Sequence, residues 1–283
     1  MNKSLRILMV TVQHKTVDDR IYHKESLSLL SFGHKVGILH YDQDGLEPIH
    51  AGLEWMKIPT VSGNQALLKK VYSGRFYSDA VDLGSAYKPD FVIAHEPQSV
   101  FIAQQIAKKT GAIPVFDSHE SYQFSNKKDR WALKHHLPKM KHYFAVNPMV
   151  AQDILAVRSD AEIEELRNCS IIKSSEITPQ KRIVLCHEGH LTFDRGLKLL
   201  LESAVILLER FPQLDMLIVG QVWGKEKAYL DQMKSTHPIL NRLSITGWLD
   251  YEKVPKALSN ASIGLILMEA TPNNLYASPN KLF

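Results

Sequence analysis

Residues 183–200 read IVLCHEGHLTFDRGLKLL, and this stretch limits more than any other what the chain can fold into. Ile183 to Cys186 form an apolar, partly β-branched run. A loop punctuated by Gly189 and Gly196 follows, and Leu197, Leu199, Leu200 and Leu201 then open an amphipathic helix. Strand, loop and helix in that order form the repeating unit of a parallel α/β sheet. A helix that begins there turns unpaired N–H groups and the positive end of its dipole on the loop, so the loop is a seat for phosphate.

The same alternation runs along the whole chain. Continuous apolar strands are expected at Leu5–Val12, 34–41, 54–59, 90–96, 113–120 and 142–147, the last closing the first sheet. Helices are expected from about Ile21 to Gly33, from 65 to 87, from Pro97 to Lys109 and from 149 to 157, with a mixed, basic and partly helical stretch at 121–141 that can move. Dense charge and then SSEITPQ, within 158–181, read as the crossing between two domains, placed at 1–170 and 171–283. Beyond the opening stretch, strands are expected at 215–220, 243–248 and 261–268, with helices near 225–236 and 251–258. The fold class is therefore α/β, two parallel sheets facing a cleft, with ligands at the carboxyl ends of the strands.

Composition narrows the setting. A chain of 283 residues with 45% hydrophobic and 23% charged residues can bury two cores of ordinary size. Residues 1–150 hold 19 Lys and Arg against 14 Asp and Glu, an excess that suits an anionic partner or a membrane surface and equally an ordinary solvated face. No nucleic-acid partner is expected. Two cysteines, Cys169 and Cys186, offer no disulfide framework and fit a reducing compartment. MNKSLRILMV has no cleavage signature, and no run reaches the roughly 18 apolar residues of a membrane span. A cytoplasmic protein, at most peripheral to the inner face of the membrane, is the expectation.

Several chemistries fall away. His187, Glu188 and His190 approach the zinc-protease HExxH, but Leu191 stands where the second histidine is needed. His135 and His136 lie in a basic stretch without acidic or cysteine ligands, so no metal site is expected. No glycine follows the first strand, and Gly189 and Gly196 are too far apart for a dinucleotide fingerprint. A P-loop and a GxSxG elbow are both missing.

DDRIYHKESLSLLSFGHKV (18–36), AHEPQSV (94–100) and VFDSHE (115–120), in this order, resemble the acceptor-domain motifs of the GT-B fold glycosyltransferases of family 4. EATPNNLYASPNKLF (269–283) is similar to that family's nucleotide- and sugar-binding loop. The resemblance implies two Rossmann-like domains, acceptor-binding and then donor-binding, and a retaining hexosyl transfer from a nucleotide-diphosphate sugar. The acceptor it implies is a glycan or lipid-linked precursor of the cell surface, with no metal cofactor. On it, the active-site histidine falls on His119, with Asp18, Asp19, Arg20, His95 and Glu96 on the acceptor side. The donor diphosphate falls to Gly189, His190 and Arg195, with Asn280, Lys281 and Leu282 opening a further helix.

Two departures stand out. His190 occupies the place of the family's arginine, and histidine is a weaker phosphate ligand because it is only partly protonated near neutral pH. The second acid of the last motif would be residue 284, and eight places earlier stands Tyr276, so the second domain is expected to be incomplete. A non-catalytic truncated remnant, or a nucleotide-binding partner subunit, is the alternative reading, and a GT-B epimerase acting on nucleotide sugars is a third.

Overall fold

The computed structural model describes residues 3–14, 17–41, 50–59, 75–122, 127–169 and 182–279. The chain divides into two compact units, one of Met1–Asn168 with Tyr276–Ser278 and one of Cys169–Leu275 with Pro279–Phe283.

The first unit is built on seven parallel strands: β1 (Arg6–Thr11), β2 (Lys35–His40), β3 (Leu53–Lys57), β4 (Phe91–Ala94), β5 (Ile113–Ser118), β6 (His142–Ala145) and β7 (Glu162–Glu165). Their order across the sheet is β3-β2-β1-β4-β5-β6-β7, which reverses direction between β1 and β4. Strand side chains alternate between faces, so Leu8, Val10, Leu39 and Val92 enter one core with Phe76, Ile102 and Ile106 of the helices. Ile7, Met9, Val36 and Ile38 enter the other, against Ile21 and Tyr22.

The segment after β1 winds as Asp19–Ser26 and runs directly into α1 (Leu27–Ser31). Its first turn is wide: the Asp18 carbonyl accepts from His23 N at 3.3 Å as well as from Tyr22 N at 3.0 Å. Next come α2 (Arg75–Ala86), α3 (Pro97–Thr110), α4 (Lys127–His136) and α5 (Pro148–Val157). The partly helical stretch 121–141 holds a ten-residue helix, α4, in which Trp131, Ala132 and Leu133 sit in a run of good helix formers. One expectation changes here. The sheet closes not on β6 but on β7, whose sequence EIEE lies inside the charged stretch read as a crossing; only Ile163 is not exposed, as suits a charged edge strand. The expected helix start at 65–74 lies outside the described residues, as does SSEITPQ.

The second unit has four parallel strands, β8 (Ile183–Glu188), β9 (Leu214–Val219), β10 (Leu243–Ile245) and β11 (Ile263–Gly264), in the order β10-β9-β8-β11. The helices α6 (Leu197–Arg210), α7 (Gly224–Thr236), α8 (Val254–Leu258) and α9 (Pro272–Leu275) accompany them. Leu185, Met216 and Ile218 pack against Leu197, Leu200, Leu201, Ala204 and Leu208 of α6. The apolar run 261–268 gives only a two-residue strand. Backbone bonds from Ser262 N to Val184 O and from Leu265 N to Cys186 O flank it, and Ile263 is 52% exposed at the sheet edge. Among the described residues, no helix is long and apolar enough to cross a membrane.

Candidate functional site

In the first unit the strand order reverses between β1 and β4, and in open parallel sheets that reversal opens a crevice at the carboxyl ends. The chain leaves β1 towards His14 and Asp18, β4 towards His95 and Glu96, and β5 towards His119. Titratable groups therefore meet there from three strand ends.

At the bottom lies a buried ion pair. Arg20 Nε and Nη2 donate to the two oxygens of Asp117, each at 2.7 Å, and Arg20 Nη1 donates to Asn168 Oδ1 at 2.9 Å. Asp117 is fully buried and Arg20 is 6% exposed. Burial works against the Asp117 charge, but Arg20 and hydrogen bonds from His119 and His95 outweigh it and hold the carboxyl well below its usual range. Glu25, whose Oε1 is 2.8 Å from Arg20 Nε, is driven the other way by burial and by the Asp117 charge.

His95 stands behind this pair. Its ring is wholly buried, with Nδ1 3.2 Å from Asp117 Oδ2 and Nε2 3.4 Å from Met9 Sδ. Burial lowers its pKa, so a neutral ring carrying its proton on Nδ1 fits the geometry. Glu96 caps α3 and is also buried; Oε1 accepts from Val12 N, and Oε2 accepts from Thr11 Oγ1 at 3.1 Å. Burial pushes its pKa up.

His119 follows Ser118 at the end of β5. Its Nδ1 lies 3.5 Å from Asp117 Oδ2, and its Nε2 lies 3.3 Å from Nε2 of His14. His14 Nδ1 in turn faces Asp18 Oδ2 at 3.2 Å. Burial disfavours charge on His14, but the Asp18 hydrogen bond and the fields of Glu96, Asp18 and Glu120 raise its pKa to about 9. Asp18 also caps the helix, accepting from Arg20 N at 2.8 Å and Ile21 N at 3.0 Å. Burial opposes its charge too, yet His14 and these N–H groups depress its pKa. Asp19 faces Lys24 Nζ at 2.6 Å.

Asp18, Arg20, His95, Glu96 and His119 are thus brought into one network, in which Arg20, His95 and Glu96 are buried supports. His14, Asp117 and Glu25 are members that sequence reasoning passed over. Asp117 lies inside the motif VFDSHE, and an acid two residues before a strand-end histidine, on the same side of a strand, was the signal for it. A carboxylate-backed imidazole at a strand end can orient a hydroxyl and stabilise charge arising on it.

In the second unit β8 ends in the loop of residues 189–196. Gly189, at φ +97°, donates its N–H to Val219 O at 2.9 Å. A Cβ on Gly220 would stand 2.1 Å from Gly189 O, so glycine is required there for the two backbones to pass. His190 Nδ1 is 3.0 Å from Gln221 O, and its ring stacks on Trp223 with centroids 3.9 Å apart. Thr192 O accepts from Arg195 N at 3.2 Å and Leu197 N at 3.0 Å, closing the turn that leads into α6. Gly196, at φ +82°, is the N-cap of that 14-residue helix.

Arg195 is exposed just ahead of the helix, with Nη1 3.4 Å from His190 O. Lys198 and Lys225 each carry Nζ 5.4 Å from the Phe193 ring centre. Asn274 Nδ2 donates to Asp194 O at 3.0 Å and Glu269 O at 2.9 Å, tying the 269–275 segment to this loop. Gly189, His190 and Arg195 therefore share one loop at a helix N-terminus, where backbone N–H groups and the Arg195 guanidinium are free to meet an anion. Asn280, Lys281 and Leu282 lie outside the described residues.

Residues 170–272 match the family model described as "Glycosyl transferases group 1". No curated protein matches the chain. Among solved structures, sucrose-phosphate synthase from Thermosynechococcus elongatus is similar at a TM-score of 0.69 and 14% identity, over 93% of this chain and 75% of that one. HepE of Anabaena, solved with UDP and glucose, gives 0.66 and 12% over 92% and 73%. The lipopolysaccharide outer core galactosyltransferase WaaB gives 0.61 and 17% over 96% and 77%. At these identities the likeness shows the fold alone, and the family model's match falls within the second unit. On the two together the chain has the fold of these GT-B structures, and its residues 170–272 are similar to the glycosyl transferases group 1.

Proposed function

We propose that this protein transfers a hexosyl unit, with retention, from a nucleotide-diphosphate sugar to a glycan or lipid-linked acceptor in cell-surface polysaccharide synthesis. The observation that carries the reading is the loop between β8 and α6, where Gly189, His190 and Arg195 collect at a helix start inside the group 1 domain. The diphosphate binds there through Arg195 and the loop amides, and the resemblance assigns Asn280, Lys281 and Leu282 to the same ligand.

As the glycosidic bond breaks, charge gathers on the departing diphosphate. The arginine and the helix end meet that charge, so no resident metal is needed. His119, backed by Asp117, orients a sugar hydroxyl through Nε2, while Asp18 and Asp19 face the acceptor side and Arg20, His95 and Glu96 hold the network from beneath. His14 occupies Nε2 of His119 in this structure and has to turn aside for a sugar to take its place. The setting is cytoplasmic, at the inner face of the membrane where a lipid-linked acceptor is presented.

UDP is the first nucleotide to test, because HepE was solved with UDP-glucose and TarM with UDP and alpha-GlcNAc-glycerol. Calorimetric titration of UDP and other nucleoside diphosphates into the wild type should show saturable binding. Arg195→Ala should weaken it by about 10- to 150-fold, the loss of one charged hydrogen bond. Absence of binding by every nucleoside diphosphate, or equal binding by the variant, overturns the reading.

A further inference from the structure

A cavity of about 560 Å³ lies in the first unit between β5, α4 and α5. Phe116, Leu133, Leu137, Val150, Ile154 and Val157 line it, all but Val157 belonging to the core on that face of the sheet. A volume of this size with largely apolar walls suits a small-molecule site, in which a few polar groups fix the ligand. Helix α5 adds to the apolar character: its only charged residue is Asp153, and Leu155 and Val157 are 42% and 44% exposed.

The polar groups of the lining differ in what they have left to offer. Ser121 Oγ donates to Asp153 Oδ2 at 2.5 Å, Tyr122 Oη donates to His95 O at 3.3 Å, and Ser118 Oγ donates to Glu120 O at 3.2 Å. Glu120 is exposed, and its charge acts on His14. Arg130 and Lys134 also line the cavity, one turn apart on α4; both are exposed and make no hydrogen bond or ion pair among the described residues. Asp129, the one acid of α4, is buried and accepts from Gln98 Nε2, so it does not neutralise them. Like charges one turn apart on a helix repel, and an anion held between them removes that repulsion.

We propose that this cavity binds a single-chain lipid phosphate, with the hydrocarbon chain on the apolar wall between α4 and α5 and the phosphate on Arg130 and Lys134. An alkyl phosphate carries nearly two negative charges at neutral pH, which two cations match. At roughly 30 Å³ for each non-hydrogen atom, the share of a water molecule in the liquid, the cavity holds on the order of 18 such atoms. That is room for one chain of about 12 carbons with its phosphate, and not for a two-chain phospholipid. The lining includes Ser118 and Glu120, on either side of His119, so the lipid lies beside the strand end given to the acceptor. Its use as the lipid-linked acceptor rests on the proposed transferase activity, whereas binding of the lipid phosphate does not.

Dodecyl phosphate, kept below its micelle concentration and titrated into the full chain in a calorimeter, tests the site. The wild type should bind it saturably, while inorganic phosphate and dodecyltrimethylammonium, each lacking half of the ligand, should not bind. Arg130→Ala combined with Lys134→Ala should weaken binding by about 10-fold or more, the loss of at least one charged hydrogen bond. Ala156→Trp, which sets a large ring where exposed Ala156 lines the cavity, should weaken it as much by excluding the chain. Lys108→Ala combined with Lys109→Ala, on α3, leaves binding unchanged. Circular dichroism confirms that each variant is folded, and if Ala156→Trp is not, the Arg130 and Lys134 variant decides the matter alone. No saturable binding of dodecyl phosphate, equal binding of dodecyltrimethylammonium, or wild-type affinity in the folded Arg130 and Lys134 variant overturns the proposal. None of these results bears on nucleoside diphosphate binding by the second unit.

Discussion

Arg20 meets Asp117 edge-on beneath the carboxyl end of β5, with two parallel N–H to carboxylate bonds of 2.7 Å, both partners inside the first unit. Removing one member of such a pair strands the other as a buried charge, which typically costs about 3–5 kcal/mol. Arg20→Met should lower stability by that amount in urea titration. Arg20→Lys should fall between it and the wild type, since an ammonium cannot make both bonds. A loss under about 1 kcal/mol for Arg20→Met would contradict the role given to the pair.

Tyr143 and Tyr87 differ in one respect that stability measurements can read. The Tyr143 hydroxyl donates to Leu137 O at 2.6 Å and to Met140 O at 2.9 Å, whereas the buried Tyr87 hydroxyl has no partner among the described residues. Tyr143→Phe should cost about 1 kcal/mol at neutral pH, and Tyr87→Phe nothing, or a small gain. Burial pushes both phenols up to about 12, above the value of about 10 in an unfolded chain. The folded state thus favours the neutral ring: this contribution is complete below about pH 10 and is lost as pH rises towards 12. Urea midpoints at neutral pH and near pH 11 should show Tyr87→Phe losing less stability on the alkaline side than the wild type.

Gly196 and Gly247 both sit at positive φ, +82° and +75°, in the same unit. A Cβ at Gly196 would stand 2.6 Å from both Cβ and O of Leu267, while one at Gly247 meets nothing within 4 Å. Gly247→Ala should cost about 1 kcal/mol, the conformational term alone. Gly196→Ala should cost roughly 2–4 kcal/mol, because Leu267 has to shift as well. Equal losses for the two variants in thermal unfolding would show that the loop tolerates the side chain.

What could be read from the residues followed burial. β1, β2, β8 and β9 are covered on both faces and so appear as unbroken apolar runs. β7 hid behind three glutamates because an edge strand needs only backbone pairing and one inward side chain, Ile163. ASIGLILM erred in the other direction: an apolar run promised eight paired residues, and its edge position gives regular pairing only at Ile263–Gly264. At the site, His119, His95 and the 189–196 loop were legible because they end strands or open a helix. His14 was not, since it lies in an irregular loop and its partner is 105 residues away, a pairing made only by the sheet order.

The claim that the loop between β8 and α6 holds the diphosphate of a sugar donor is tested most directly by turnover. A panel of nucleotide sugars incubated with the chain and a membrane glycolipid extract, assayed for released nucleoside diphosphate, should yield release from at least one donor. Arg195→Ala should reduce that release by about 10- to 150-fold. Release that persists at the wild-type rate in the variant, or no release from any donor together with no nucleoside diphosphate binding, would contradict it.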